Sequence, residues 1–144
     1  MDNHYNKIVS FEIAQKLKEI DFRIGTDEFY AIDDITVTYD NYLGGGTIPK
    51  GETFWLTSGE NYHGKYIEAP TYADVLDWLM DKGIHVSLSP WFTYALRDKV
   101  GYTFEISTVN EEEAKLDTEH WGEFASFDLC IECAINKAIE KLKK

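Results

Sequence analysis

The sequence predicts an α+β fold, in which a mostly antiparallel sheet from two sets of about three strands packs with three helices. Three segments carry apolar residues at helical spacing, each behind a Ser or Thr that can cap a helix. The segments between them alternate apolar and polar residues, which is typical of half-buried strands. Strands and helices do not alternate one by one, as parallel βαβ units require. The sequence therefore favours hairpin-linked strands in the order α-β-β-β-α-β-β-β-α.

Three helices are predicted from their caps. Ser10 precedes the first, FEIAQKLKEI, which has an apolar stripe at three- and four-residue spacing. Thr71 precedes the second, with Asp74 three residues on as in a weaker capping box, and Gly83 marks its end. Ser126 precedes the third, FDLCIECAINKAIEKLKK, whose apolar face is wide and whose last turns carry lysines.

The first set of strands is predicted between the first and second helices. Residues 27–40 contain two short strands, which we expect to form a hairpin around a tight turn at Asp33–Asp34. Residues 53–57 alternate as a third strand. The glycine-rich segment 41–51 and the polar segment 58–70 are predicted to be loops.

The second set of strands is predicted between the second and third helices. Residues 84–89 alternate as a strand, and Pro90, which has no N–H to donate, predicts a strand end, a bulge or an edge position. Residues 91–108 are predicted to form a hairpin that turns around Arg97–Gly101. The acidic segment 110–120 is predicted to be a turn that holds a short helical piece.

Length and composition predict one globular domain over residues 1–144. Hydrophobic residues make up 44% of the chain and charged residues 28%, which is typical of a folded protein. Two separate domains of this total length would each bury a poor core. The sequence has no run of 18 apolar residues for a transmembrane helix, and its polar N-terminus does not match a secretory signal. We therefore expect a cytoplasmic protein with no membrane partner.

The charge is strongly acidic, since 26 Asp and Glu against 14 Lys and Arg give a formal net charge of −12. Direct binding of nucleic acid through a basic surface is therefore not expected. The excess of acidic residues is evenly distributed along the chain, because residues 1–72 and residues 73–144 each carry a net charge of −6. A role in solubility is the simplest explanation of an evenly distributed negative charge. An acidic DNA mimic that inhibits a nucleic-acid-binding protein stays an alternative.

No combination of residues in the sequence matches a catalytic, metal-binding or cofactor-binding motif, so we expect a non-enzymatic protein. Cys130 and Cys133 lie on the apolar face of the third helix and are expected to be buried structural thiols. His85 lies on the polar side of its strand and is expected to be exposed. Gly44–Gly46 lacks the Lys-Ser/Thr of a phosphate-binding loop, and Glu111–Glu113 lacks the alternating ligands of a calcium loop.

Aromatic residues are abundant, with 4 Trp, 9 Tyr and 8 Phe. Several predicted strands carry them on both faces, which a single core covers poorly. An aromatic-rich core, a protein interface and a ligand platform all stay open as explanations. The residues expected to form an interaction surface are Trp55, Tyr62, His63, Tyr66, Trp91 and Tyr94. A small-ligand or enzymatic site near the first four of these is a further alternative.

The chain contains three characteristic segments in the order SFEIAQKLKE, APTYADVLDWLMDKGIHVSL and ASFDLCIECAINKAIEKL. A predicted Tyr-rich hairpin lies between the last two. In these segments the sequence resembles small proteins of unknown function encoded in Bacteroides-type gut bacteria and in their phages or conjugative elements. The most specific part is Ala69–Val86, whereas the segments 44–51 and 110–120 depart from the resemblance. The resemblance implies a phage or mobile-element context and no catalytic residue.

Taken together, these features predict a small non-enzymatic protein-interaction module. Its expected partner is a protein, and a second copy of the chain is included among the candidates.

Overall fold

The computed structural model describes residues 4–39, 45–93, 96–110 and 115–143. It confirms the α+β class, with helices in the three predicted places and antiparallel sheets between them. The chain divides into two compact units, which are described separately below. The strand-rich unit is Ile8–Pro70, and the helix–sheet unit is Met1–Lys7 with Thr71–Lys144. Folding of residues 1–144 as a single domain stays a prediction.

The described residues of the strand-rich unit form one helix and six short strands. These are α1 (Phe11–Glu19), β1 (Glu28–Ala31), β2 (Ile35–Tyr39), β3 (Thr47–Ile48), β4 (Thr53–Trp55), β5 (Glu60–His63) and β6 (Tyr66–Glu68). The predicted cap of α1 is confirmed, because the Ser10 hydroxyl accepts the N–H of Ile13 at 3.2 Å. The buried stripe of α1 consists of Ile13, Ala14 and Leu17.

Helix α1 ends in a Schellman motif. The N–H of Phe22 donates to the carbonyl of Leu17 at 3.0 Å, and the N–H of Asp21 donates to the carbonyl of Lys18 at 3.1 Å. The residue between the helix and the apolar Phe22 must adopt a left-handed conformation, and Asp21 does so with φ 61°. Glycine usually occupies this position, since it has no Cβ to crowd the backbone.

The six strands form two antiparallel sheets, in the orders β4-β1-β6 and β3-β2-β5. The predicted hairpin between β1 and β2 is therefore wrong, because these strands belong to different sheets. The turn at Asp33–Asp34 instead carries the chain from one sheet to the other. It is held by the N–H of Ile32, which donates to the carbonyl of Lys65 at 2.9 Å, and by the Asp34 carboxylate, which accepts the N–H of Lys50 at 3.0 Å.

Short strands also occupy the two segments that were expected to be loops. Strand β3 lies in the glycine-rich segment, of which residues 41–44 are outside the described residues, and β5 and β6 lie in the segment 58–70. Gly64 joins β5 to β6 with φ 142°, and a Cβ there would lie 2.6 Å from the Cδ1 atom of Ile35. These strands are too short and too polar to show an alternating apolar pattern in the sequence.

The two sheets share one hydrophobic core. Its buried members come from both of them: Ala31, Ile35, Val37 and Phe54. Half-buried residues pack around this centre from both sheets as well: Phe29, Ile48, Tyr62 and Tyr66. Three of these four are aromatic, so much of the aromatic excess in this unit serves packing.

The described residues of the helix–sheet unit form two helices, three long strands and a short 3-10 helix at His4–Asn6. The others are α2 (Tyr72–Asp81), β7 (Ile84–Thr93), β8 (Leu96–Asn110), β9 (Lys115–Phe124) and α3 (Phe127–Leu142). The capping box of α2 is confirmed by two bonds between Thr71 and Asp74, of 3.0 and 3.2 Å. The Ser126 cap of α3 is confirmed by a bond of 3.2 Å from the N–H of Leu129.

The sheet of this unit has the order β7-β8-β9, with α2 and α3 packed on it. Its buried side includes Ile84, Phe104 and Ile106, which are at most 4% exposed. His85 is exposed, as predicted. Pro90 is confirmed in an edge position, because β7 pairs with β8 alone among the described strands.

Two predictions for this sheet are wrong in detail. Residues 97–101 lie inside β8, so the predicted turn around Arg97–Gly101 is wrong, and residues 94–95 are outside the described residues. Residues 115–120 belong to β9 rather than to an acidic turn. Glu111–Glu113 lies outside the described residues. Residues 100–101 pair with β7 and residues 115–120 pair with β8, and this cross-strand pairing outweighs the local preference of charged residues for a turn.

Burial explains the state of the two cysteines. Cys130 is fully buried and Cys133 is half-buried, and both thiols are free. Burial, together with the nearby Cys133, raises the pKa of the Cys130 thiol to about 11. A thiol with this pKa stays protonated at neutral pH and is a poor nucleophile, which agrees with a structural role.

Candidate functional site

Two of the predicted surface residues, Trp55 and Tyr62, line the same groove in the strand-rich unit. The groove has a volume of about 250 Å³. Strands of both sheets contribute to it, and its wall includes Val37, Tyr39, Ile48, Phe54, Trp55, Glu60 and Tyr62. The groove therefore combines an apolar wall with one carboxylate.

Trp55 is the last residue of β4, which is an edge strand of its sheet. Because side chains alternate along a strand, Phe54 points into the core and is 8% exposed, whereas Trp55 is 61% exposed. Leu56 follows the end of the strand and is 47% exposed, although the sequence pattern placed it on the same face as Phe54. Two consecutive residues with large apolar side chains are thus exposed to solvent.

The hydroxyl of Tyr62 fixes the chain around Trp55. It accepts the N–H of Thr57 at 3.0 Å and donates to the Glu60 carboxylate at 2.5 Å. The carbonyl oxygen of Trp55 lies 3.0 Å from the same hydroxyl. The Tyr62 ring stacks on Phe54 at a centroid distance of 5.2 Å. The backbone that presents Trp55 is therefore held in place by Tyr62.

His63 and Tyr66 lie elsewhere in this unit. His63 is exposed, and its Nε2 atom is 3.0 Å from the Thr38 hydroxyl. Tyr66 packs edge-on against Phe29 and Phe54, at centroid distances of 5.2 and 5.5 Å, and lines a different cavity. The structure therefore brings Trp55 and Tyr62 together at the groove, and neither His63 nor Tyr66 lines it.

The last two predicted surface residues belong to the helix–sheet unit. The backbone of Trp91 pairs with Gly101 in the β7–β8 ladder. Tyr94 lies outside the described residues.

Most described aromatic residues pack against other aromatic residues. Phe104 stacks on Trp121 at 5.0 Å, and the ring of Phe127 contacts those of His4, Tyr5, Tyr72 and Tyr102. Trp55 differs, because it has the largest exposed fraction of the large apolar side chains in the described part of the chain. Core packing thus explains much of the aromatic excess, and Trp55 is the exception.

A second cavity, of about 480 Å³, was not predicted. It lies within the strand-rich unit, and its lining includes Lys18, Arg23, Phe29 and Glu68. Glu68 is far from the other three in the sequence and the four residues form no motif, so no spacing signal could have connected them.

The described residues contain no cluster of three or more His, Cys, Asp or Glu side chains that could hold a metal ion. None of the helices in the described ranges has the length and apolar character that crossing a membrane requires. No protein-family model matches the sequence, and neither a curated protein nor a solved structure matches it significantly.

Proposed function

We propose that the chain is a non-enzymatic protein-interaction module. Its binding surface consists of Trp55, Leu56 and the adjoining groove, and is called the Trp55 surface below. The observation that carries the proposal is the joint exposure of Trp55 (61%), which ends an edge strand, and of Leu56 (47%), which follows that strand. Tryptophan is among the residues that contribute most to binding when a partner covers them.

The size of the groove favours a protein partner over a small molecule. Small-molecule sites enclose about 300–1,000 Å³. The groove beside Trp55 has about 250 Å³ and suits one inserted side chain. An extended segment suits the rest of the surface, because an edge strand leaves one side open for pairing with another strand.

The charge around the groove specifies the partner further. Glu60 lines the groove, and the unit Ile8–Pro70 contains eleven acidic residues against five basic ones. A segment with a large apolar residue next to Lys or Arg therefore complements the Trp55 surface. A second copy of the chain would instead bring another net charge of −12 to the contact, so we propose a different, basic protein. The resemblance to proteins of phages and conjugative elements supports a mobile-element origin for the chain.

The proposal is tested by panning a library of random peptides, displayed on phage, against the full chain. We expect enrichment of peptides that carry an aromatic or large aliphatic residue beside Lys or Arg. Binding of these peptides should weaken at high salt, because screening reduces the attraction between opposite charges. A library that yields no enriched peptide would contradict the proposal.

Matched variants locate the binding. Trp55→Ala and Leu56→Ser should each lose the enriched peptides, whereas Leu129→Ser should keep them. Leu129 is the control position for Leu56, because it is also an exposed leucine (60%) but belongs to the other unit. Equal binding to the Trp55→Ala variant would move the interaction away from this surface. A stable dimer that Trp55→Ala abolishes would make the partner a second copy of the chain and overturn the basic peptide.

A further inference from the structure

The second cavity of the strand-rich unit has the size of a small-molecule site. Its volume of about 480 Å³ lies inside the range of about 300–1,000 Å³ that such sites enclose. It is lined by α1, by the segment that follows α1, and by strands β1 and β6. All of these elements belong to the same compact unit.

The apolar part of this cavity offers a surface for a flat ring. Phe29 and Tyr66 are half-buried, and their rings meet edge-on at a centroid distance of 5.2 Å. Ala14, Phe22 and Ile67, all at most 5% exposed, complete the apolar lining. Aromatic ligands prefer such offset or edge-on contacts with aromatic side chains.

The charged part of the cavity is unusual for this acidic chain. Lys18 and Arg23 line it, and they are two of the five basic residues between Ile8 and Pro70. Both side chains are exposed, and within the described ranges neither forms a salt bridge. The cavity thus places two cationic side chains, neither of them in a salt bridge with another described residue, beside an aromatic wall.

The carboxylate of Glu68, which also lines the cavity, is already engaged by the backbone. It accepts the N–H groups of Ile24, Gly25 and Thr26 at 3.2, 2.6 and 3.1 Å. These three donors form a nest of the kind that binds anions, and here the protein's own carboxylate fills it. An anionic ligand would therefore contact the side chains of Lys18 and Arg23, with Asp21 as the nearby opposing charge.

We propose that this cavity binds a small aromatic anion, namely a flat ring that carries a carboxylate or a phosphate. The ring packs on Phe29 and Tyr66, and the anionic group lies between Lys18 and Arg23. This site is separate from the Trp55 surface, because the two cavities share no lining residue.

The proposal is tested by titrating the full chain with benzoate and with phenyl phosphate, observed by calorimetry and by amide NMR shifts. We expect both probes to bind and to shift the amides around residues 23–26. Benzyl alcohol, which lacks the charge, and acetate or inorganic phosphate, which lack the ring, should bind at least about tenfold more weakly. The two probes also show whether the site prefers the carboxylate or the phosphate. Absence of binding by both aromatic anions would overturn the proposal.

Three exposed positions provide variants that should keep the fold. Lys18→Gln and Arg23→Gln should each weaken binding by about tenfold, since each removes a charge-assisted contact. Asp21→Asn should strengthen binding, because it removes the opposing carboxylate. Lys50→Gln, in the same unit but outside the cavity lining, should leave binding unchanged. Equal binding in all four variants would refute the assigned site.

A final control separates this proposal from the protein-interaction function. Trp55→Ala should abolish peptide binding and leave the binding of benzoate and phenyl phosphate unchanged. Loss of aromatic-anion binding in Trp55→Ala would contradict the separation of the two sites.

Discussion

Replacing Glu68 tests how the strand-rich unit holds the segment that follows α1. The Glu68 carboxylate accepts three backbone N–H groups from consecutive residues, at distances between 2.6 and 3.2 Å. In Glu68→Ala these donors lose their protein partner. We therefore expect the variant to be less stable than the wild-type protein.

The expected magnitude follows from the exposure of the three donors. The N–H of Thr26 is partly buried, and a hydrogen bond from such a group to a charged acceptor contributes about 1.5 kcal/mol. The N–H groups of Ile24 and Gly25 are exposed, so water replaces the carboxylate there and each bond contributes about 0.5 kcal/mol. Glu68→Ala should therefore lower the free energy of unfolding by about 2.5 kcal/mol. Glu68→Gln, which keeps one acceptor oxygen, should lower it by about half as much.

Urea unfolding followed by circular dichroism measures this change. Glu52→Ala is the matched control, because it removes an exposed carboxylate of the same unit and the same formal charge. We expect the control to change the free energy of unfolding by less than about 0.5 kcal/mol. A Glu68→Ala variant as stable as Glu52→Ala would refute the assignment of these bonds as a stabilising feature.

Three further predictions concern the backbone and the buried thiol. Asp21→Gly should raise the free energy of unfolding by about 0.5 kcal/mol in the same assay, because Asp21 has φ 61° and glycine removes the crowded Cβ; a decrease would contradict this. Gly64→Ala should lower the free energy of unfolding by about 2 kcal/mol, because residue 64 has φ 142° and the new Cβ would lie 2.6 Å from a side-chain atom of Ile35. Gly46→Ala, where a Cβ meets no atom within 4 Å, should leave the stability unchanged, and similar values for the two variants would contradict this reasoning. Because the pKa of Cys130 is raised from 9.0 to about 11 in the folded chain, ionisation favours the unfolded state. The contribution of the protonated Cys130 thiol to the free energy of unfolding is therefore complete below about pH 9 and declines as the pH rises toward 11. In unfolding experiments over this range, the stability of Cys130→Ala should decline less than that of the wild-type protein. Identical pH profiles for the two proteins would argue against the raised pKa.

The helices could be predicted from the sequence because local interactions determine where they begin. Ser10, Thr71 and Ser126 each cap a helix through a hydrogen bond to a backbone N–H three residues on. Each cap precedes an apolar stripe that packs into a core. The signal and the structure it predicts lie within a few residues of each other.

The strands of the strand-rich unit could be predicted only in part. Strand β2 alternates clearly, with Ile35 and Val37 buried and Thr36 and Thr38 exposed. Strand β5 has the sequence ENYH and no apolar alternation, since its position is set by pairing with β2. The sheet to which a strand belongs depends on distant partners, so the sequence around Asp33–Asp34 could not distinguish a hairpin from a crossing between sheets.

The residues of the two proposed sites divide in the same way. Trp55 could be predicted, because a tryptophan opposite Phe54 on a short strand must either be covered or face the solvent. The cavity with Lys18, Arg23 and Glu68 could not, because only folding brings the distant Glu68 to the segment that holds Lys18 and Arg23. No local pattern marks a lysine on a helix as part of a binding site.

The most direct test of the proposed function is the dissociation constant of one selected basic peptide, measured by calorimetry for the wild-type chain, Trp55→Ala and Leu129→Ser. Truncation of a tryptophan at the centre of an interface removes about 2 kcal/mol or more of binding free energy. We therefore predict that Trp55→Ala raises the dissociation constant of the peptide by at least about thirtyfold, while Leu129→Ser leaves it unchanged. Equal affinity for all three proteins would contradict the assignment of the Trp55 surface as the binding site.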